Sequence, residues 1–317
     1  MEKAIRYSKK FETAEHLHDI NQKLCDEIVQ TGLDYYGISG EELAAHSKIK
    51  DAANKAPDRV SVSQALKHFV RDWSTSGRGE REDTFPCILD TIGSLFSDRS
   101  GNDVKVLLPG SGLGRLGHEV ASLGGFDVTV NERSMYMNLL YRFLEAHPRP
   151  DSKTLHPFID SWSHHATNAH MFRGISFPDA RVNTSSVVLV EGDFVSEFQG
   201  RRGEYDTVIT LFFIDTARNL MSYFDTIHAT LKPGGYWINF GPLLWGTAPF
   251  VQLSLDEIVA ITQSMGFEFV DTSDTCGEPT FGGKSIRSKR AGYGFNEKAL
   301  TRNVYSAAQF WVARKAT

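Results

Sequence analysis

Gly110-Ser111-Gly112-Leu113-Gly114 is where the backbone of this chain can approach a bound group most closely, because three of its residues lack a Cβ. An apolar run, residues 104–108, precedes it and a helical pattern follows. The turn therefore ends at a helix N-terminus, whose unpaired amides suit a polar, nucleotide-like ligand. Glu132 stands about 20 residues further on, the spacing at which a carboxylate meets ribose hydroxyls in dinucleotide folds. Gly112, Gly114 and Gly117 also satisfy G-x-G-x-x-G. Alone, these glycines suit a nicotinamide dinucleotide as well as any other nucleoside-bearing cofactor, and a ligand-free glycine turn is the bland alternative.

Two more carboxylates close apolar runs. Asp193, in Glu191-Gly192-Asp193-Phe194, follows residues 186–190, and Asp215 follows residues 207–214. Ligands of open α/β sheets collect outside the carboxyl ends of the strands, so both are placed to meet one. An Asp after a strand can equally cap the next helix, expected here over residues 216–228. His164, His165 and His170 invite a metal. Adjacent histidines on a helix do not converge on one ion, however, and only Asp160 stands near enough to complete a set, so no metal site is assigned. Cys25, Cys87 and Cys276 are odd in number, far apart and in no ligand spacing, which suggests neither a disulfide framework nor a zinc site.

The elements that must carry these groups follow from periodicity. Apolar residues at three- and four-residue spacing predict helices over residues 14–30 and 62–73, with the polar, proline-interrupted stretch 47–59 between them. Residues 74–79 have loop composition and precede another helix, 85–96. From Val104 the pattern becomes strand, turn, helix, strand, through residues 128–130. The runs 186–190, 207–214 and 236–240 read as further strands of a buried parallel sheet, and 267–270 with 307–312 as an antiparallel pair. Residues 142–183 form an insertion too long for a simple loop, in which Phe158, Trp162, Phe172 and Phe177 are expected to make its own packing core.

With 317 residues, 41% of them hydrophobic, the chain can fill an α/β domain over residues 101–317 behind an N-terminal helical layer, residues 1–100. A net charge of -5 argues against nucleic acid as a partner, since such proteins present a basic face. No run approaches the roughly 18 apolar residues of a membrane span, and the first residues lack a signal-like apolar stretch. These features point to the cytoplasm and away from nucleic acid or a membrane as partner, with a homodimer left open.

Several longer strings resemble the carnosine N-methyltransferase family. They are Leu108-Pro-Gly-Ser-Gly-Leu-Gly-Arg-Leu116, Asn131-Glu-Arg-Ser134, Phe212-Phe-Ile-Asp-Thr-Ala217, Leu231-Lys-Pro-Gly-Gly235, Trp237-Ile-Asn-Phe-Gly-Pro-Leu-Leu244 and Leu66-Lys-His-Phe-Val-Arg-Asp-Trp-Ser74. The resemblance covers about residues 60–315. It implies the class I methyltransferase fold, a Rossmann-like seven-stranded sheet with a reversed C-terminal strand, and S-adenosyl-L-methionine as cofactor. A Leu-Lys-Pro-Gly-Gly turn ahead of the fifth strand belongs to that class and has no reason to occur in NAD domains. Leu108 stands where the class usually has an acidic residue.

Carried onto this chain, the resemblance places Arg71, Gly110, Glu132, Asp193 and Phe194 at the cofactor, together with His68, Gly112, Gly114 and Leu211. Arg71 would offer its planar guanidinium to the methionine carboxylate; a surface ion pair is the alternative. His68 stands where the family usually has Gln. Asp215 is the expected catalytic residue, accepting one ring N–H of an imidazole so that the other nitrogen attacks, with Trp245 and Tyr305 beside the substrate. The family carries a His just after its Gly-Pro-Leu-Leu-aromatic string and a cluster of consecutive tyrosines near its C-terminus. Here Gly246 follows Trp245, and residues 303–306 read Asn-Val-Tyr-Ser. The expected activity is methyl transfer to an imidazole or amine nitrogen of a small molecule or small peptide, with a substrate other than carnosine. The alternatives are O-, S- or N-methylation in specialised metabolism, or a non-enzymatic relative that binds the cofactor.

Overall fold

A computed structural model describes residues 1–53, 59–99, 103–246 and 249–317. The polar stretch expected at 47–59 thus lies partly outside the described residues, and its first part is the end of a helix, Gly40–Ala52. Eleven strands occur among the described residues: β1 (Val104–Pro109), β2 (Phe126–Glu132), β3 (Lys153–Leu155), β4 (Ile175–Phe177), β5 (Val187–Glu191), β6 (Tyr205–Leu211), β7 (Leu231–Gly241), β8 (Phe267–Phe269), β9 (Glu278–Pro279), β10 (Ile286–Gly292) and β11 (Val304–Lys315). The chain forms two compact units. One comprises Met1–Arg78, Met135–Val182 and Gly294–Arg302, and the other Gly79–Ser134, Asn183–Tyr293 and Asn303–Thr317.

The second unit holds the main sheet, in the order β5-β2-β1-β6-β7-β11-β10-β9, with β8 also paired to β11. The pairs from β5 to β7 are parallel, whereas β11 runs antiparallel to β7 and to β8, as the resemblance implies for the last strand. The sheet has nine strands, not seven. The extra two, β9 and β10, come from the segment between β8 and β11, which continues along the free edge of β11 and covers its unpaired amides.

Strand periodicity divides the core into two layers. Val106 and Leu108 pack with Val128, Val130 and Ile209 beneath Ile88 and Ile92 of the helix Arg78–Leu95. Leu107, Val208 and Trp237 face the other way, against Phe224, Ile227 and Ile258. The helix Arg78–Leu95 begins inside the stretch expected to be a loop, after a short 3-10 turn at Thr75–Gly77. It carries a second departure from expectation, a disulfide between Cys87 and Cys276, 189 residues apart in sequence. Local spacing rules see no pair at that separation; only the close approach of the helix to the segment before β9 brings the two together.

In the first unit a 30-residue helix, Tyr7–Tyr36, buries Ala14, Leu17, Leu24 and Ile28 along one stripe and ends at Gly37 in the left-handed conformation that favours glycine. The insertion contributes the hairpin β3–β4. Its aromatics do not form a core of their own. Phe177 stacks on Phe69 of the helix Arg59–Trp73 at 4.1 Å, and Trp162 packs against Tyr7 and Phe11. A two-stranded hairpin has too little apolar surface to stand alone, so it shares the core of the N-terminal helices.

Candidate active site

The glycine turn, Glu132, Asp193 and Asp215 all lie where a strand of the parallel sheet gives out, whereas Tyr305 lies near the start of the antiparallel β11. The strand order reverses between β1 and β6, so their carboxyl ends diverge into the crevice in which open α/β sheets take ligands. At the end of β1, Gly110, Gly112 and Gly114 all have left-handed backbone, φ 62°, 57° and 71°. A Cβ on Gly110 would sit 2.2 Å from the Phe213 ring, so the turn has no room for a side chain there. Gly114 opens the helix Arg115–Ser122.

Glu132 ends β2 and ties this turn down. Its Oε2 accepts the Gly112 N–H at 3.0 Å, and its Oε1 the Ser134 N–H at 2.8 Å. Next to it Asn131, buried, donates to the carbonyls of Val190 and Gly192 at 2.9 and 3.0 Å, which fixes the turn after β5 against β2. Asp193 in that turn caps the helix Phe194–Phe198, its Oδ1 accepting the Val195 and Ser196 N–H groups, while its Oδ2 lies 3.9 Å from Arg133. Phe194 departs from the expectation of a ring presented at the sheet edge. Its ring is buried among Phe198, Phe213 and Tyr223, as part of the core.

The end of β6 is the most distinctive part. The strand stops at Leu211, not Ile214, and Phe212 takes a left-handed backbone, φ 51°, unusual for a bulky residue and costing about 1–3 kcal/mol. The Phe240 carbonyl accepts its N–H at 2.9 Å, and Gly241 opposite leaves room for the bend, since a Cβ there would lie 3.0 Å from the Phe212 nitrogen. The bend delivers Asp215 in a short 3-10 turn, Ile214–Thr216. Asp215 does not cap the following helix, which starts at Leu220 with Asn219 as its N-cap.

Asp215 is only 9% exposed. Burial pushes its carboxyl up to about 6, against the opposing pull of backbone N–H groups of Leu244 and of Asp215 itself. No lysine or arginine among the described residues forms an ion pair with it. Beside it, the Tyr305 phenol is raised by burial, then by the charge of Asp215 and by Tyr293. Phe212, Tyr293 and Tyr305 form one aromatic wall, with centroids 4.8 Å (Phe212–Tyr293), 5.8 Å (Phe212–Tyr305) and 6.2 Å (Tyr293–Tyr305) apart. A register shift between Lys289 and Ala291 sets Tyr305 opposite Ala291, the kind of bulge that re-aims a side chain. Trp245 is half-buried, and its indole N–H is spent on the Leu253 carbonyl at 3.2 Å.

His68 and Arg71 belong to the first unit. The Arg71 Nε donates to Asp72 at 2.8 Å and its Nη2 to His68 Nδ1 at 2.9 Å. Arginine has no acceptor, so Nδ1 of His68 is the lone-pair nitrogen and its proton sits on Nε2. Burial and then the Arg71 charge lower the His68 pKa, which keeps the ring neutral. Burial works against the ionised form of Asp72, but Arg71 and then His68 outweigh it and hold this carboxyl well below the usual range. With side chains 16% and 8% exposed, Arg71–Asp72 is a part-buried pair, not a surface one. Among the expected histidines, His164 accepts the Leu300 N–H through its carbonyl and His165 meets the Ser161 carbonyl, so both act locally in this unit.

Sequence reasoning passed over Phe212 and Tyr293 as site residues and gave Asn131 no role. Asn131 and Phe212 lie inside strings already singled out. Tyr293 carries no local signal, because strand pairing across β10 and β11 is what brings it to Tyr305.

A parallel sheet whose order reverses at a glycine turn, with a carboxylate closing the second strand and a reversed strand beside the fifth, defines the class I methyltransferase fold. Within that class, the model of the carnosine N-methyltransferase family matches residues 49–317, and the chain belongs to this family. It is 37% identical over 231 residues to a carnosine N-methyltransferase of Schizosaccharomyces pombe, covering 65% of this chain and 62% of that one. It is 34% identical over 262 residues to that of Rattus norvegicus, covering 79% and 64%. The chain thus spans under two thirds of the length of these curated relatives. A solved structure of Haemonchus contortus phosphoethanolamine N-methyltransferase 2 with S-adenosyl-L-methionine is a remote likeness, 13% identical, TM-score 0.45, covering 85% of this chain and 60% of that one.

Proposed function

We propose that this chain transfers a methyl group from S-adenosylmethionine to an imidazole or amine nitrogen of a small molecule or small peptide. The observation that carries the reading is Asp215, a buried carboxylate without a cationic partner at the diverging strand ends, beside an aromatic wall. Family membership supports S-adenosylmethionine as the cofactor, and the local geometry suits it. The turn at Gly110, Gly112 and Gly114 presents backbone, and Glu132, held against that turn, is the carboxylate proposed to meet the ribose hydroxyls. Asp193, Phe194 and Leu211 would line the adenine end. By the family resemblance alone, Arg71 is assigned the methionine carboxylate and His68 a polar contact with the cofactor; within their own unit Asp72 orients the Arg71 guanidinium.

S-adenosylmethionine supplies an electrophilic methyl on a sulfonium; the protein aligns the acceptor and excludes water, a service that can remove several kcal/mol of barrier. A neutral imidazole is nucleophilic near pH 7, its reference pKa being about 6.5, so the site must choose a tautomer more than remove a proton. Ionised Asp215 accepts one ring N–H, leaves the other nitrogen's lone pair free and stabilises the positive charge that develops. The sign of the pH effect follows. For an imidazole acceptor, kcat/KM should fall as pH drops through about 6, because Asp215 and the free acceptor both protonate, the limb approaching a slope of two. In Asp215→Asn the limb should keep the substrate's single slope; a wild-type limb of slope one would remove Asp215 from the titration.

We expect carnosine to be a poor acceptor. Gly246 stands where the family has its His, and the Trp245 N–H is engaged, although Tyr293 restores one phenol beside Tyr305. A site lacking the partners of a polar substrate leaves that substrate's groups buried unpaired. Imidazole peptides, amines, phenols and thiols assayed by mass spectrometry should show transfer to nitrogen compounds other than carnosine. A kcat/KM for carnosine of roughly 10⁴ M⁻¹s⁻¹ or more contradicts this.

A further inference from the structure

We infer that Asp83 is a positioning residue for the methyl acceptor, acting through Gly292 and Tyr293; this rests on the reading of Asp215 and its aromatic wall as the acceptor site. Asp83 lies on the helix Arg78–Leu95, and its Oδ2 accepts the Gly292 N–H at 2.8 Å. Gly292 ends β10, and the next residue supplies the Tyr293 ring to Phe212 and Tyr305. The contact is close: a Cβ on Gly292 would lie 3.3 Å from the Asp83 Oδ2 and 3.3 Å from Glu80 Cγ. One helical turn on, Cys87 shares the face of Asp83 and is bonded to Cys276, which precedes β9, the neighbour of β10. The helix thus meets the β9–β10 segment through the disulfide at one end and, at the end that presents Tyr293, through Asp83, which also lies 4.0 Å from Arg290 of β10. The Tyr293 N–H runs to the Asn303 carbonyl and fixes the backbone beyond the pairing of Gly292 with Val304, which leaves Asp83 to set where β10 stops.

Four experiments test the inference, with free imidazole and the imidazole peptides and amines of the substrate panel as acceptor probes and S-adenosylmethionine as donor. Asp83→Ala should raise the acceptor KM about tenfold while the affinity for S-adenosylhomocysteine stays within about twofold. Asp83→Asn, which keeps an acceptor oxygen at the same place, should restore KM. In a Tyr293→Leu background Asp83→Ala should add nothing to KM, because the two changes act on one interaction. In protein labelled with 3-fluorotyrosine, the ¹⁹F resonance assigned to Tyr293 by Tyr293→Phe should shift or broaden in Asp83→Ala, and this reading needs no turnover. An unchanged Tyr293 resonance in Asp83→Ala overturns the inference. So does a KM change that persists in full in the Tyr293→Leu background, or a loss of cofactor affinity in step with KM. A moved resonance in protein that methylates no imidazole or amine of the panel counts against the acceptor-site reading while the positioning role stands.

Discussion

Asp215→Asn should lower turnover roughly a hundredfold or more while cofactor affinity stays within a few-fold, as expected when one preorganised electrostatic contact to the reacting group is lost. The amide keeps the size of the carboxylate but carries no charge to accept the acceptor's N–H strongly or to stabilise the cation. Stability should move the other way. The folded-state pKa of Asp215, about 6, lies above its ordinary value of 3.8, so the folded protein holds this proton more tightly than the unfolded chain does. Stability is therefore lost as pH rises from about 4 to about 6 and stays reduced above it. Removing the charge should leave Tm at pH 7.5 unchanged or a few degrees higher. Calorimetry and turnover on the same preparation decide the matter. A fall in Tm that tracks the fall in rate would return Asp215 to a structural role.

Glu132→Ala should weaken S-adenosylmethionine binding by about 10- to 150-fold, the equivalent of 1.5–3 kcal/mol for hydrogen bonds to a charged acceptor. The same carboxylate holds the Gly112 and Ser134 amides, so part of the loss comes from a looser glycine turn. Glu132→Gln keeps one oxygen acceptor and should fall between the two. Titration calorimetry with S-adenosylhomocysteine reads the effect directly, and wild-type affinity in the alanine variant would dismiss Glu132 as a ribose ligand.

The parallel half of the sheet was legible because strand-length apolar runs, each followed by polar or turn residues, leave few ways to be anything but buried strands. The glycine turn was equally plain, since three left-handed positions require three glycines. What escaped was non-local. The bond between Cys87 and Cys276 and the meeting of Tyr293 with Tyr305 both depend on segments distant in sequence. Phe194 was ambiguous for a different reason: an aromatic residue after a strand serves core and ligand alike, and its burial among three other rings is not legible locally. Asp215 was placed correctly at a strand's carboxyl end, but its helix-cap alternative fell only when the helix proved to begin five residues later at Leu220, with its own cap, Asn219.

Methyl transfer from S-adenosylmethionine carrying an isotopically labelled methyl group, with the labelled atom of the product located by NMR, tests the central claim most directly. Wild-type protein should place the label on an imidazole or amine nitrogen of a small acceptor, and Asp215→Asn, still binding cofactor, should place almost none. Label on oxygen or sulfur, or equal labelling of nitrogen by Asp215→Asn and wild type, would contradict it.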